Sequence, residues 1–207
     1  MFKFNCMNGA KISYYFHIFA PSSDSTIIFM NEVRILDKRF RELISEQAIR
    51  KRIDEMAIQI NRDFTGSEVI FVGILNGAFM FAADLFRKTD LNARITFVKL
   101  ASYVGTSSTG SIRELIGWNE DLVNKKIIVA EDIVDTGSTL ERIVNELVIR
   151  NVAEIRIATM LLKPSAYKKD IQIKYVGFEI PNNFVVGYGL DYNGYGRNLP
   201  AVYTLVK

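Results

Sequence analysis

Nine consecutive residues, Glu131-Asp132-Ile133-Val134-Asp135-Thr136-Gly137-Ser138-Thr139, hold three carboxylates, three hydroxyls and a glycine. Hydroxyls and free backbone N–H groups at a helix N-terminus make a phosphate cradle. Gly137 permits a tight backbone path and close approach to a bound group. The adjacent carboxylates of Glu131 and Asp132 can accept hydrogen bonds from neighbouring sugar hydroxyls, or hold Mg²⁺ through water. Phosphate donors beside sugar acceptors describe a site for a phosphorylated ribose. The plainer alternative is a capped turn, with Thr136 or Ser138 as N-cap. Two acidic residues directly after a buried strand weigh against it, because an unpartnered buried carboxylate is costly.

The elements that position this loop are legible around it. Ile127-Ile128-Val129-Ala130 is an unbroken apolar run, the mark of a strand buried on both faces. Leu140, Ile143, Val144, Leu147 and Val148 then recur on one helical face. Strand, loop and helix form the leading half of a βαβ unit, and open α/β sheets hold ligands at the carboxyl ends of their strands. The same design precedes it: Val69 to Leu75 reads as a buried strand ending at Asn76-Gly77, followed by a helix from Ala78 to Arg87. Before that, a short strand from Val33 leads to an amphipathic helix over about Ser45 to Phe64, and Arg94 to Leu100 alternates like a strand. Strands are also expected over Ala153 to Leu162, Ile171 to Phe178 and Ala201 to Val206, the last closing the sheet. Apolar strands alternating with helices mean an α/β fold with a mainly parallel central sheet flanked by helices.

Composition narrows the chemistry. The 207 residues suit one domain with a sizeable core. A formal charge of +3, from 26 basic and 23 acidic residues, without a basic run, argues against a nucleic-acid partner. A single cysteine, Cys6, excludes an internal disulfide and fits a reducing, cytoplasmic compartment. The single histidine, His17, leaves no basis for a Ser-His-Asp, Cys-His or zinc site, so acid–base work falls to carboxylates, Lys or Tyr. No apolar run is long enough to span a bilayer, so no membrane partner is expected. Residues 1–29 differ in character from the rest and are broken by Pro21-Ser22-Ser23-Asp24-Ser25; they are expected to be a dispensable extension, with the domain occupying 30–207. Between Ser102-Tyr103 and Ser111 the chain is rich in Ser, Thr and Gly, suited either to a lid over a reactive intermediate or to a plain linker. Lys163 ends a strand ahead of Pro164, where a solvated terminus is the ordinary reading. Phe184 to Tyr192, apolar with two glycines, suits a flat slot for a planar base. Neither a Walker A loop nor GxGxxG is present.

The 131–139 stretch resembles the phosphoribosyl-pyrophosphate (PRPP) motif of the type I phosphoribosyltransferase family. From Ile35 to Leu205 the chain is similar to the hypoxanthine(-guanine) branch of that family, through residues 72–77, Ser102-Tyr103, Lys163-Pro164, residues 177–181, the run Phe184 to Asp191 and Arg197-Asn198-Leu199-Pro200. The resemblance implies a small hood built from N- and C-terminal segments. It implies Mg²⁺-dependent purine salvage, in which PRPP and hypoxanthine or guanine give IMP or GMP and pyrophosphate. By the same resemblance Glu131 and Asp132 hold the ribose hydroxyls and the metal shell, Asp135 is the acid/base near purine N7, and Thr136, Gly137, Ser138 and Thr139 cradle the 5′-phosphate. Asn76 and Gly77 line the pyrophosphate site, Arg197 binds its charge, and Asp191 lies by the purine and the second Mg²⁺. Phe184 stacks on the base, the Val185 backbone meets its far edge, Lys163 faces the exocyclic oxygen, and Ser102 and Tyr103 belong to the lid. A homodimer or homotetramer is also implied.

One position departs from the pattern. Many members of the family carry Lys where this chain has Asn76, so a backbone role there can persist while a charge role cannot. A xanthine-preferring or uracil-preferring relative and a PRPP-sensing regulator remain alternatives. The regulator would call for an added DNA-binding domain or a basic face.

Overall fold

The computed structural model describes residues 13–15, 32–101, 113–118 and 120–206. The chain divides into two compact units, Gln47–Asn182 on the one hand and Met1–Glu46 with Asn183–Lys207 on the other. The expected lid residues Ser102 and Tyr103 lie outside the described residues, as does most of the 1–29 segment.

The first unit is built on a six-stranded sheet. Its strands are β4 (Glu68–Leu75), β5 (Asn92–Ala101), β6 (Arg113–Ile116), β7 (Lys126–Val134), β8 (Glu154–Leu162) and β9 (Tyr175–Glu179), in the order β6-β5-β4-β7-β8-β9. All neighbours run parallel except β6, which is antiparallel to β5. The mainly parallel sheet expected from the sequence is therefore present. Among the described residues three helices accompany it: α1 (Glu46–Asp63), α2 (Phe79–Phe86) and α3 (Ser138–Ile149).

Alternation along the central strands sorts the side chains between two layers. Ile70, Val72 and Ile74 of β4 join Ile127 and Val129 of β7 and the buried face of α3, Leu140, Ile143 and Leu147, in one core cluster. Residues of the opposite parity face α2, which packs on β4 and β7. There Phe71 meets Phe86 edge to face at 5.4 Å, and a side chain at Gly73 would strike the Phe97 ring and Ala82. Both faces of β4 and β7 are thus covered, which explains why they read as continuous apolar runs. On α1, Arg52 reaches the last strand of the sheet, donating to the carbonyls of Val176 at 2.6 Å and Gly177 at 3.0 Å.

The second unit is an antiparallel sheet in the order β1-β2-β3-β11-β10, with β1 (Ser13–Tyr15), β2 (Glu32–Ile35), β3 (Lys38–Ile44), β10 (Val185–Val186) and β11 (Val202–Leu205). It is made from the N- and C-terminal segments, as the resemblance implies. Its core is Val33, Ile35, Phe40, Val186, Leu199, Ala201 and Tyr203. The segment read as closing the central sheet, Ala201 to Val206, belongs here instead, pairing antiparallel with β3. A parallel strand would need a crossover of a dozen or more residues, usually a helix. Between β9 and β11 the chain forms β10 and turns but no helix to carry such a crossover. Within the 1–29 segment, Ser13–Tyr15 pairs with Glu32–Arg34.

Where β9 joins β8, Gly177 lies against the Met160 backbone, and a Cβ built there would fall on the Met160 carbonyl and 3.1 Å from its Cα. Backbone cannot step aside as a side-chain tip can. Gly177→Ala is therefore expected to lower the unfolding free energy by about 1–3 kcal/mol, read as a reduced urea midpoint; an unchanged midpoint would show that the β8–β9 pairing relaxes freely.

Candidate active site

Strand order reverses direction between β4 and β7: β5 and β6 extend the sheet one way, β8 and β9 the other. Such switch points open a crevice at the carboxyl ends of the strands. The turn Asn76-Gly77 follows β4, and the acidic stretch ends β7.

The sequence reading placed Glu131 to Val134 in a loop. The structure keeps them in β7, with Glu131 opposite Thr159, Ile133 opposite Leu161 and Val134 opposite Leu162 of β8. Parallel pairing with β8 carries the strand four residues past the apolar run. The consequence is that Glu131 and Asp132, neighbours in sequence, point to opposite faces of the sheet. Glu131 is only 7% exposed, and its Oε2 has no partner among the described residues. Burial, reinforced by the Asp132 charge, pushes the Glu131 carboxyl well above the usual range. Asp132 is half-buried, accepts a 2.8 Å hydrogen bond from the Ile133 N–H, and lies against Gly77. A Cβ on residue 77 would coincide with its carboxylate. The Leu75–Asn76 peptide that leads into this contact is cis.

Asp135 stands just past the strand end and forms a 2.7 Å ion pair with Lys163 Nζ. Lys163 is 8% exposed, so the solvated-terminus reading does not hold. Its main chain is fixed as well, the Lys163 N–H donating to the Val134 carbonyl at 2.9 Å. The ends of β7 and β8 therefore present an acceptor-only carboxylate and a donor-only ammonium side by side.

The turn into α3 is capped differently from the plain alternative. Gly137, at φ +84°, is the N-cap and makes no side-chain cap hydrogen bond; the Glu141 N–H donates to its carbonyl at 2.9 Å. Thr136 Oγ1 and Ser138 Oγ face each other at 3.2 Å, and Thr136, Ser138 and Thr139 are exposed. Hydroxyls not spent on capping leave the first turn of N–H groups turned to an incoming anion. Glu131 and residues 133–140 line a small cavity of about 80 Å³ here. A larger one, of about 510 Å³, opens at the amino ends of β4 and β5 among Asn61, Thr65, Ser67, Glu68, Asp90 and Asn92. Glu68 in it is already engaged by Lys125 and Arg94, at 3.0 and 3.3 Å, and that end of a parallel sheet lacks the converging N–H groups.

The unit formed by the chain ends carries the remaining expected residues. Phe184 is 47% exposed, with Tyr192 edge-on at 6.0 Å and Phe40 tilted at 6.2 Å, which fixes the ring but leaves much of it open. Val185 is buried and pairs with Thr204. Asp191 and Arg197 are paired with each other at 2.7 Å. Arg197 also donates to the Gly189 carbonyl at 2.7 Å, and Asp191 accepts from the Gly194 N–H at 2.7 Å.

Among the described residues no group of three or more His, Cys, Asp or Glu side chains could hold a metal by itself. The donors present nevertheless fit Mg²⁺, which takes one or two carboxylates and completes its octahedron with water and ligand phosphates. Half-buried Asp132 meets that need, and the orphaned Glu131 oxygen awaits a donor or cation. The sequence reading missed Tyr167 and Lys169, which stand directly behind Gly137. They lie some thirty residues beyond the motif, and no spacing rule links them to it.

Comparison with known proteins gives a consistent picture. A model described as a phosphoribosyl transferase domain matches residues 41–193. The hypoxanthine-guanine phosphoribosyltransferase of Staphylococcus epidermidis is 44% identical over 164 residues, covering 79% of this chain and 92% of the relative. A hypoxanthine phosphoribosyltransferase crystal structure from Staphylococcus aureus is similar at 41% identity and a TM-score of 0.75, covering 80% of this chain and 90% of that one. The hypoxanthine phosphoribosyltransferase from Trypanosoma cruzi in complex with IMP gives 32% identity and a TM-score of 0.74, covering 80% and 93%.

An unpartnered buried carboxyl is a cost to the fold that an apolar side chain of similar length avoids. Glu131→Met is expected to raise the unfolding free energy of the ligand-free protein by about 1–2 kcal/mol, seen as a higher thermal midpoint. A lower midpoint would show that Glu131 has a structural partner.

Proposed function

The chain belongs to the phosphoribosyl transferase domain family, and from that premise we propose that it transfers the phosphoribosyl group of PRPP to hypoxanthine or guanine, giving IMP or GMP and pyrophosphate in purine salvage. The observation that carries the reading is the Asp135–Lys163 pair, 2.7 Å apart, beside the phosphate cradle of residues 136–139. A 6-oxopurine presents an acceptor, O6, next to a donor, the N7–H. Lys163 Nζ and Asp135 Oδ2 are the complement of that edge. Adenine would set its amino group against an ammonium that can only donate, leaving both unpaired, and such mismatches exclude a ligand strongly.

In this reading the hydroxyls and N–H groups of Thr136, Gly137, Ser138 and Thr139 hold the 5′-phosphate and so fix C1′. Asp132, and Glu131 once a ribose hydroxyl gives its buried oxygen a partner, hold the sugar. Asp135 takes the N7 proton as N9 bonds to C1′ and the bond from C1′ to pyrophosphate breaks. The proton's departure keeps positive charge from building on the base as the cationic ribose collapses onto it. Backbone N–H groups at Asn76 and Gly77 meet the leaving pyrophosphate, with Asn76 contributing no charge. Arg197 adds its guanidinium to the pyrophosphate, Asp191 lies by the purine and would help to hold a second Mg²⁺, Phe184 stacks on the base and the Val185 backbone meets its edge. Asp132 and Glu131 would hold one Mg²⁺ and Asp191 a second, and the ions would supply charge to neutralise the pyrophosphate as it leaves. Ser102 and Tyr103 belong to a lid that keeps water from the ribose cation.

We extend the proposal to residues 30–207 as the catalytic domain with 1–29 an extension, to a cytoplasmic setting and to a homodimer or homotetramer. Among the described residues no helix is long and apolar enough to cross a membrane.

The decisive assay is nucleotide formation from PRPP with hypoxanthine, guanine, xanthine, adenine and uracil, each with Mg²⁺ and with EDTA. Mg²⁺-dependent IMP and GMP alone are expected. Preference for xanthine would redirect the assignment within the family, and no product despite PRPP binding would favour a sensor. Asp135→Asn should cut turnover about 10²- to 10⁴-fold while PRPP still binds; full turnover would remove Asp135 from the mechanism. Lys163→Ala should raise KM for the purine and leave KM for PRPP near wild type, and equal losses for both would contradict its role.

A further inference from the structure

We infer that Tyr167 and Lys169 are positioning residues for the phosphate cradle, Tyr167 as its rear wall and Lys169 as the counter-ion that silences Glu141. The inference rests on the phosphate-binding reading of residues 136–139. Gly137 turns its Cα toward these two side chains. A Cβ built on it would stand 2.5 Å from Tyr167 Cε2 and 2.9 Å from Lys169 Cγ. The back of the cradle is therefore in contact with the segment that follows β8, and the left-handed turn at φ +84° is held against an aromatic ring.

That wall is itself anchored. The Tyr167 ring packs against the core cluster that contains Leu140 and Ile143 of α3, and its hydroxyl donates to the Ile171 carbonyl at 2.7 Å. Burial raises the Tyr167 hydroxyl above its ordinary pKa, keeping it a neutral donor. The N–H groups of Ala166 and Tyr167 donate to the Lys163 carbonyl at 3.0 and 3.1 Å. One short segment thus sets the base-facing ammonium at its start and braces the phosphate turn at its end.

Lys169 acts through charge. Glu141 is the acidic residue in the first turn of α3, and Lys169 Nζ binds its Oε2 at 2.7 Å. A carboxylate at a helix N-terminus favours the helix but competes with a dianionic phosphate for the same N–H groups and the same positive end of the dipole. The pair is partly exposed, 28% and 45%, so it adds little to global stability. Its effect falls on the local potential where the phosphate docks. With Lys169 in place, Glu141 and the incoming anion do not repel at full strength.

The test is a double-mutant cycle on the full chain, with Kd measured by calorimetry for PRPP and for ribose 5-phosphate. Lys169→Met should weaken both ligands about tenfold, more at low ionic strength than at high. Lys169→Met with Glu141→Gln should return affinity to within about twofold of wild type, and Lys169→Arg should rescue the single loss. Wild-type affinity in Lys169→Met, or a double variant as weak as that single one, would overturn the charge role. For the wall, hydrogen exchange of the amides at 136–140 is read in the ligand-free protein. Tyr167→Ala should speed it about tenfold with the thermal midpoint tracked alongside, whereas Tyr167→Phe should leave it near wild type. Unchanged exchange in Tyr167→Ala would overturn the wall. Because exchange needs no ligand, a wild-type protein that binds neither probe would refute the phosphate reading while the wall is still decided.

Discussion

The carboxylate of Asp132 occupies the space that any side chain at residue 77 would fill. That contact ties the end of β4 to the end of β7, the two central strands of the sheet, at the point where strand order reverses. A glycine is required by the approach itself rather than by a turn type. Parallel pairing of Val69 to Gly73 with Lys126 to Ala130 sets the register that brings the two strand ends level. Packing of α2 and α3 on opposite faces holds that register, because a one-residue slip would turn Val72 and Val129 out of their cluster. The shape of the crevice therefore depends on side chains buried inside the sheet, Val72 and Val129 among them.

Much of this was legible in the chain. Continuous apolar runs announced β4 and β7, and helical spacing announced α1 and α3, because full burial on both sheet faces leaves a pattern that the sequence displays. The turn from β7 into α3 was legible as well, since strand, turn and helix follow one another in consecutive residues. What escaped was set by partners distant in sequence. The acidic pair reads as loop because carboxylates seldom end a buried strand, yet β8 carries the pairing to Val134. The hairpin strand Lys38–Ile44 was hidden by its charged residues, only Phe40 and Ile44 being buried. Tyr167 and Lys169 make their contacts across a turn whose geometry no periodicity encodes.

Glu131 and Asp132 illustrate how one local rule divides two like residues. Alternation along a strand sends one carboxylate into a buried, unpartnered setting and the other to the crevice beside Gly77. The buried one carries a standing energetic cost in the absence of ligand, the kind of expense that stable proteins retain at sites of action. Lys163 shows the reverse case: a buried cation stabilised because Asp135 stands opposite.

β9 ends the central sheet with no strand beyond it among the described residues, and open strand edges are templates for uncontrolled association. Arg52 answers this from α1. Its guanidinium is engaged by the Val176 and Gly177 carbonyls while Glu55 holds its other end at 2.8 Å. A strand adding to β9 would have to displace this charge-assisted contact. Loss of Arg52 would in that case be felt less in turnover than in the concentration at which the protein stays in solution.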